Sequence, residues 1–173
     1  MFPLFHIAIP LLLFEIPRIN HTINVNRAVL IIASMLPDLI DKTFLFLGLG
    51  SGRDISHTLI FWGISSILLY FVSKKSTPIA GSYSIGIGFH LLLDLPYIPL
   101  FYPFISYDFP ITEEPILVWL NSILTNPIVI STELIGATIL LYIFFKHNLR
   151  KRENLISFLK TGSLSLEKGN KTK

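Results

Sequence analysis

The chain contains no cysteine among its 173 residues. That excludes disulfides and thiolate metal sites, so any bound metal must be held by nitrogen and oxygen donors. Charge is scarce too: Asp, Glu, Lys and Arg make up 14% of residues against 51% hydrophobic, and the mean hydropathy is +0.64. A typical soluble domain carries about 25% charged residues, so this composition falls in the integral membrane class. The amino terminus, Met1-Phe2-Pro3-Leu4-Phe5-His6, lacks both a basic segment and a small-residue cleavage pattern. A removable signal peptide is therefore not expected. No internal repeat is visible.

The charge that is present is unevenly placed. From Lys146 onward eight basic residues stand against two acidic ones, a tail charge of +6 in a chain of net +3, so the body carries −3. A short basic tail behind an apolar segment suits membrane orientation and anionic lipid headgroups. Membrane lipids are the expected partners, and no nucleic acid is expected. The predicted organisation is a membrane-embedded domain over 1–146 and a basic cytoplasmic tail over 147–173, disordered from about Thr161.

Apolar segments run over 2–16, 28–49, 58–72, 79–101 and 127–145. The first, interrupted by Pro3 and Pro10, reaches about 23 Å, short of a hydrocarbon core of about 30 Å. The expected fold is accordingly all-α, a polytopic membrane bundle of four segments, or five if 2–16 also spans. Arg18 to Arg27 reads as a loop, and 116–124, with Trp119, as an interfacial amphipathic piece. Lys74, Lys75 and Lys146 through Arg152 fall on the cytoplasmic side by the positive-inside rule, which also leaves Arg18 and Arg27 inside.

Polar residues inside these greasy runs need a reason. His90 and Asp94, four apart in Gly88-Phe89-His90-Leu91-Leu92-Leu93-Asp94-Leu95-Pro96, lie about 40° apart in azimuth and about 6 Å apart along a helix, so both can face one point. Pro37-Asp38-Leu39-Ile40-Asp41 puts two carboxylates on roughly one face. Arg53-Asp54-Ile55-Ser56-His57 joins a cation, a candidate helix cap in Ser56 and an imidazole. Counted from the inner face, Asp41 lies about 20 Å up its helix, Asp94 about 22 Å and Glu133 about 18 Å. His57 sits at the outer mouth, and a spanning first segment brings His6 to the same half. Three intramembrane carboxylates would cost roughly 8 to 10 kcal/mol, against a typical domain stability of about 5 to 15 kcal/mol. A divalent cation shared among them is an economical way to keep them, and mixed His/Asp donors suit Zn, Mn or Mg.

Blander readings exist for each residue. A lone intramembrane histidine is more often a packed, hydrogen-bonded residue, Asp41 can pair with Lys42, Arg53 can bind lipid phosphate, and Glu133 can stabilise a helix N-terminus. His90 beside Asp94 favours function, since intramembrane ionisable groups are functional by default. His21, His147, Asp108, Glu113 and Glu114 read as loop or surface residues.

Assembled in order, the residues resemble the membrane-bound metal-dependent hydrolase family typified by YdjM. That family's pattern of an early histidine, a Pro-Asp-x-Asp motif, Arg-x-x-(Thr/Ser)-His-(Ser/Thr), Gly-x-His-x-x-x-Asp and an aromatic-Pro pair matches His6, Pro37-Asp38 with Asp41, Arg53 through Thr58, Gly88-Phe89-His90 with Asp94, and Tyr102-Pro103. Two residues separate the aspartates where one is usual, Gly52 stands where a histidine often precedes the arginine, Asp54 replaces a frequent glycine, and Tyr102 a common tryptophan. The resemblance implies hydrolysis. Joined to the residue reading it gives one or two divalent ions held by a subset of His6, Asp38, His57, His90 and Asp94, Asp41 or Glu133 as general base, and Arg53 holding an anionic substrate such as a lipid phosphate or phosphodiester. Two other classes stay open: an ion or proton transporter using the same groups as a relay, and a non-catalytic membrane scaffold.

Overall fold

A computed structural model describes residues 3–108 and 115–161. Every regular element among them is helical: α1 (Pro3–Leu13), α2 (Pro17–Thr22), α3 (Arg27–Phe46), a single 3-10 turn (Ile55–His57), α4 (Leu59–Val72), α5 (Thr77–Asp94), α6 (Pro115–Thr125), α7 (Pro127–Lys146) and α8 (Arg152–Thr161). The expected all-α class is thus observed. The expectations for Glu113, Glu114 and the chain beyond Thr161 lie outside the described residues, as does the side chain of Trp119.

Helix starts follow local chemistry. Asn26 Oδ1 accepts from Val29 N–H at 3.1 Å to open α3, and Thr58 Oγ1 from Phe61 N–H at 3.1 Å to open α4. Asn126 Oδ1 accepts from the N–H groups of Ile128 and Val129 at 3.0 and 3.3 Å, with Pro127 opening α7. These are side-chain caps of otherwise orphaned amides. α5 stops at Asp94, seven residues before the expected end at 101, because Leu95 precedes Pro96 and is held extended. Ser56 is not a cap: its Oγ donates to Pro37 O at 2.8 Å, and Thr58 caps instead.

The central pair is α3 against α5, with α4 packed on the far side of α5 and α1 lying against α7, α3 and α5. Gly86 makes the central crossing close. A Cβ there would meet Ala33 Cβ at 2.7 Å and Leu30 O at 2.8 Å, so α5 can lie on α3 only because that position carries no side chain. One apolar core joins Leu11, Phe14, Val25, Leu30, Ile143 and Phe158; a second joins Ala33, Ile87, Leu91 and Ile98 beside the α3–α5 crossing.

Among the described residues α7 is the one helix long and apolar enough to cross a membrane by length and composition. α1 and α4 are apolar but have 11 and 14 residues, about 16 and 21 Å of helix. α3 has 20 residues but carries Arg27, Asp38, Asp41 and Lys42. Exposed apolar side chains cover α4 (Ile64, Ile67, Leu68, Phe71) and α7 (Leu134, Ile135, Leu141, Phe145). Continuous apolar surface of this kind marks a contact face for lipid or protein.

Two differences from the sequence reading concern linkers. The stretch from Arg18 holds α2 before α3 begins at Arg27. The basic extension of the last span is broken at Asn148, whose φ is +47°, and resumes as α8 packed on α3.

Candidate metal centre

α3 supplies Asp38, the 3-10 turn supplies His57, and α5 supplies His90 and Asp94, all four buried. Each offers one donor atom, and the four donors lie within 4.8 Å of one another. His57 Nε2 is 3.6 Å from Asp38 Oδ1 and 3.7 Å from Asp94 Oδ2. His90 Nε2 is 3.9 Å from Asp38 Oδ1 and 3.5 Å from Asp94 Oδ2. The two Nε2 atoms are 3.1 Å apart. Tetrahedral coordination at about 2.0 to 2.1 Å places neighbouring donors about 3.3 Å apart. The observed spacings bracket that figure, so the donor set fits one divalent ion.

The opposite ring nitrogens fix the tautomers. His90 Nδ1 lies 2.7 Å from Ser34 O, and a carbonyl only accepts, so Nδ1 carries the proton. His57 Nδ1 lies 2.7 Å from Asp41 Oδ2. That carboxylate also accepts from Asp54 N–H at 2.6 Å and, through Oδ1, from Ser56 N–H at 3.4 Å, so Nδ1 of His57 is a donor as well. In the neutral rings both Nε2 atoms therefore present lone pairs to each other and to two carboxylates. Such an arrangement in a buried site calls for a positive charge between its members, either a shared proton or a metal ion.

Asp41 thus stands behind His57, on the side away from the other three donors. The turn carrying His57 is itself braced. Asp54 accepts from Ser51 Oγ at 2.8 Å and from the N–H groups of Ser51 and Gly52 at 2.9 and 3.2 Å.

The remaining residues singled out in the sequence separate into near and far. His6 is fully buried, its Nε2 3.3 Å from Asp94 Oδ1 and its ring 4.3 Å from that of His90. Asp94 therefore turns one oxygen to the cluster and the other to His6. Arg53 is half-buried at the rim, where Nη1 donates to Tyr97 O at 3.3 Å. Glu133 accepts from the N–H groups of Leu4 and Phe5, each at 3.2 Å, capping α1 from α7. Gly136 permits that contact, since a Cβ there would meet Phe5 N at 2.6 Å.

Two groups escaped the sequence reading. Lys42 Nζ lies 2.6 Å from Asp38 Oδ2, an i, i+4 pair whose spacing was the available signal; the sequence pairs it with Asp41 instead. A second polar cluster lies at the start of α3, where Glu15 meets Lys146 Nζ at 2.7 Å, His147 Nε2 at 2.8 Å and Arg27 Nη2 at 3.3 Å. Arg27 sits over the ring of Phe158 of α8 at 4.2 Å. His147 is buried by this packing rather than exposed in a loop. The signal available was an acidic residue in an apolar run; two of its partners, Lys146 and His147, are more than a hundred residues away.

Comparison with curated proteins and with solved structures returned no match. The chain does match the family described as YdjM inner membrane protein over residues 1–156, nine-tenths of its length and every residue of the centre described above. It belongs to the YdjM inner membrane protein family.

Proposed function

We propose that this chain is a membrane-embedded, metal-dependent hydrolase of phosphoesters, its ion held by Asp38, His57, His90 and Asp94. The observation that carries the reading is the pair of Nε2 atoms facing each other at 3.1 Å, both imidazoles having committed their Nδ1 protons elsewhere. Metal ligation requires deprotonated, convergent donors, which is what this geometry offers. Two imidazoles with two carboxylates suit Zn or Mn better than Mg, which prefers oxygen and retained water. When bound, such an ion supplies Lewis acidity that polarises a phosphoryl oxygen and makes water nucleophilic near neutral pH.

The chain's own side chains do the rest. Asp41 is a positioning residue, holding His57 in the ligating tautomer and raising the basicity of Nε2. His6 orients Asp94 and stands where a proton can be passed out of the cluster. Lys42 and Arg53 supply positive charge at the rim for an anionic phosphoester. Glu133 serves by anchoring α1, and with it His6, rather than as a base.

The same reading gives five membrane segments, α1, α3, α4, α5 and α7, with the carboxyl terminus cytoplasmic. α1 runs from Glu133 at its start to Lys146 and His147 just past its end, parallelling most of α7. The basic residues at 74, 75 and 146 to 152 then share the inner side.

Elemental analysis of detergent-purified wild type beside His90→Ala tests the site. Wild type should hold close to one divalent ion per chain, and His90→Ala at least roughly tenfold less after dialysis. Equal metal in both removes the basis of the site. Metal-free wild type that carries protons across liposomes would instead establish the relay reading.

A further inference from the structure

α4 and α5 enclose an apolar groove of about 410 Å³. Leu59 and Trp62 form one wall, and Ser84, Gly88, Leu92 and Leu95 the other. Gly88 precedes His90 by two residues, about 200° around the helix, so the groove lies on the face of α5 turned from the metal centre. Its one polar member is already satisfied: Ser84 O and Oγ accept from the Trp62 indole N–H at 2.9 and 3.1 Å. A groove without polar groups to offer holds an alkyl chain better than water.

The groove follows α5 from Ser84 to Leu95, about 16 Å. Its upper end is bordered by Leu59, Leu95 and Leu100, where Leu59 N–H donates to Leu100 O at 3.0 Å. That end lies two residues past His57 and one past Asp94, at the depth of the metal centre. Here stands Arg53, half-buried and tied to Tyr97 O just beyond Leu95. An apolar groove whose end at Leu95 lies two residues from the carbonyl that holds a guanidinium is complementary to an anionic amphiphile.

We propose that the groove seats one acyl chain of an anionic phospholipid, its phosphate held by Arg53. This rests on the hydrolase reading and names its substrate class as a lipid phosphoester presented from within the bilayer.

The chain has two tryptophans, so Trp119→Phe leaves Trp62, inside the groove, as the sole tryptophan, excited selectively over the tyrosines. Brominated-chain phosphatidic acid titrated into this variant in detergent should quench Trp62 saturably. Phosphatidylcholine with the same brominated chain should bind at least roughly tenfold more weakly, and Arg53→Gln should erase the difference. Gly88→Leu, whose Cβ would stand 3.1 Å from the Trp62 ring, fills the groove. It should weaken binding roughly tenfold, the worth of about two buried methylenes, while metal content stays at the wild-type level. Leu92→Ala, which leaves the fold intact and thins one wall, should weaken binding by a smaller factor. Quenching that only tracks the brominated fraction of the micelle, unchanged in Gly88→Leu, overturns the proposal. So does a dimer that Gly88→Leu dissociates without any lipid dependence, since a second copy would then cover the groove. Saturable binding by a chain without metal keeps the lipid seat and removes the hydrolase reading alone.

Discussion

Asp41 shows how a residue's neighbours decide its task. It accepts from His57 Nδ1 and from two backbone amides. Asp41→Asn keeps the shape but can present an amide N–H to Nδ1, favouring the tautomer whose Nε2 carries hydrogen. We expect metal affinity to fall about 10 to 100-fold, read by competition with a chelating dye. Glu133→Gln should behave differently. It weakens a charged cap on α1 and should cost about 0.5 to 2 kcal/mol in thermal stability, with metal content unchanged. Loss of activity without loss of stability would return Glu133 to the chemistry. His90 and Asp94 were legible because i, i+4 spacing alone brings two side chains together. Asp41 was legible as a polar residue with a purpose but not as a support, because its partners depend on how the 51–57 loop folds back. Glu133 was legible as a group that can stabilise a helix N-terminus, but not as the cap of α1, since the amides it caps are 128 and 129 residues away in the chain.

At the level of elements, the site exists because α3 and α5 touch. His90 reaches Ser34 O across that contact, and Gly86 sets how close the helices come. Gly86→Val should cost about 1 to 3 kcal/mol through overpacking. It should also release the metal, since Asp38 and the α5 donors are carried apart; a stable, metal-replete Gly86→Val chain would show that the crossing does not set the site. Phe158→Ala is the complementary change. It removes the ring under Arg27 and should cost about 3 to 5 kcal/mol while leaving metal binding intact below the melting temperature. The sequence placed the cap of α4 at Ser56, two residues before the true cap Thr58, and carried α5 to 101 although Pro96 ends it at Asp94: caps and prolines act within a few residues, but which of several candidates acts depends on how the chain turns around it. The docking of α8 was not readable. Its basic face dominated the composition, and Phe158 meets its partners only after the chain has returned across α3.

For the whole molecule, the open quantity is topology, and the absence of cysteine makes it directly measurable. Single cysteines can be placed at Leu49, just beyond the end of α3, at Thr77, the first residue of α5, and at Lys160 on α8. On intact cells a membrane-impermeant maleimide should label Leu49→Cys, and should reach Thr77→Cys and Lys160→Cys only after permeabilisation. Labelling of Lys160→Cys from outside would invert the orientation proposed above. Composition alone identified the membrane class, but not the number of segments. Helices that shelter charge, such as α3, look too polar to span, and α1 and α4 look too short. Convergence of the donors from three separate elements also imposes an order on biosynthesis. Asp38 and Asp41 leave the ribosome 52 and 49 residues before His90. At a synthesis rate of about 5 to 20 residues per second, the nascent chain carries those carboxylates for roughly 3 to 10 s before α5 exists to meet them. Through that interval Lys42 is their nearest cation in the chain, and under the five-segment topology proposed above the newborn α3 carries two carboxylates whose partners are not yet made.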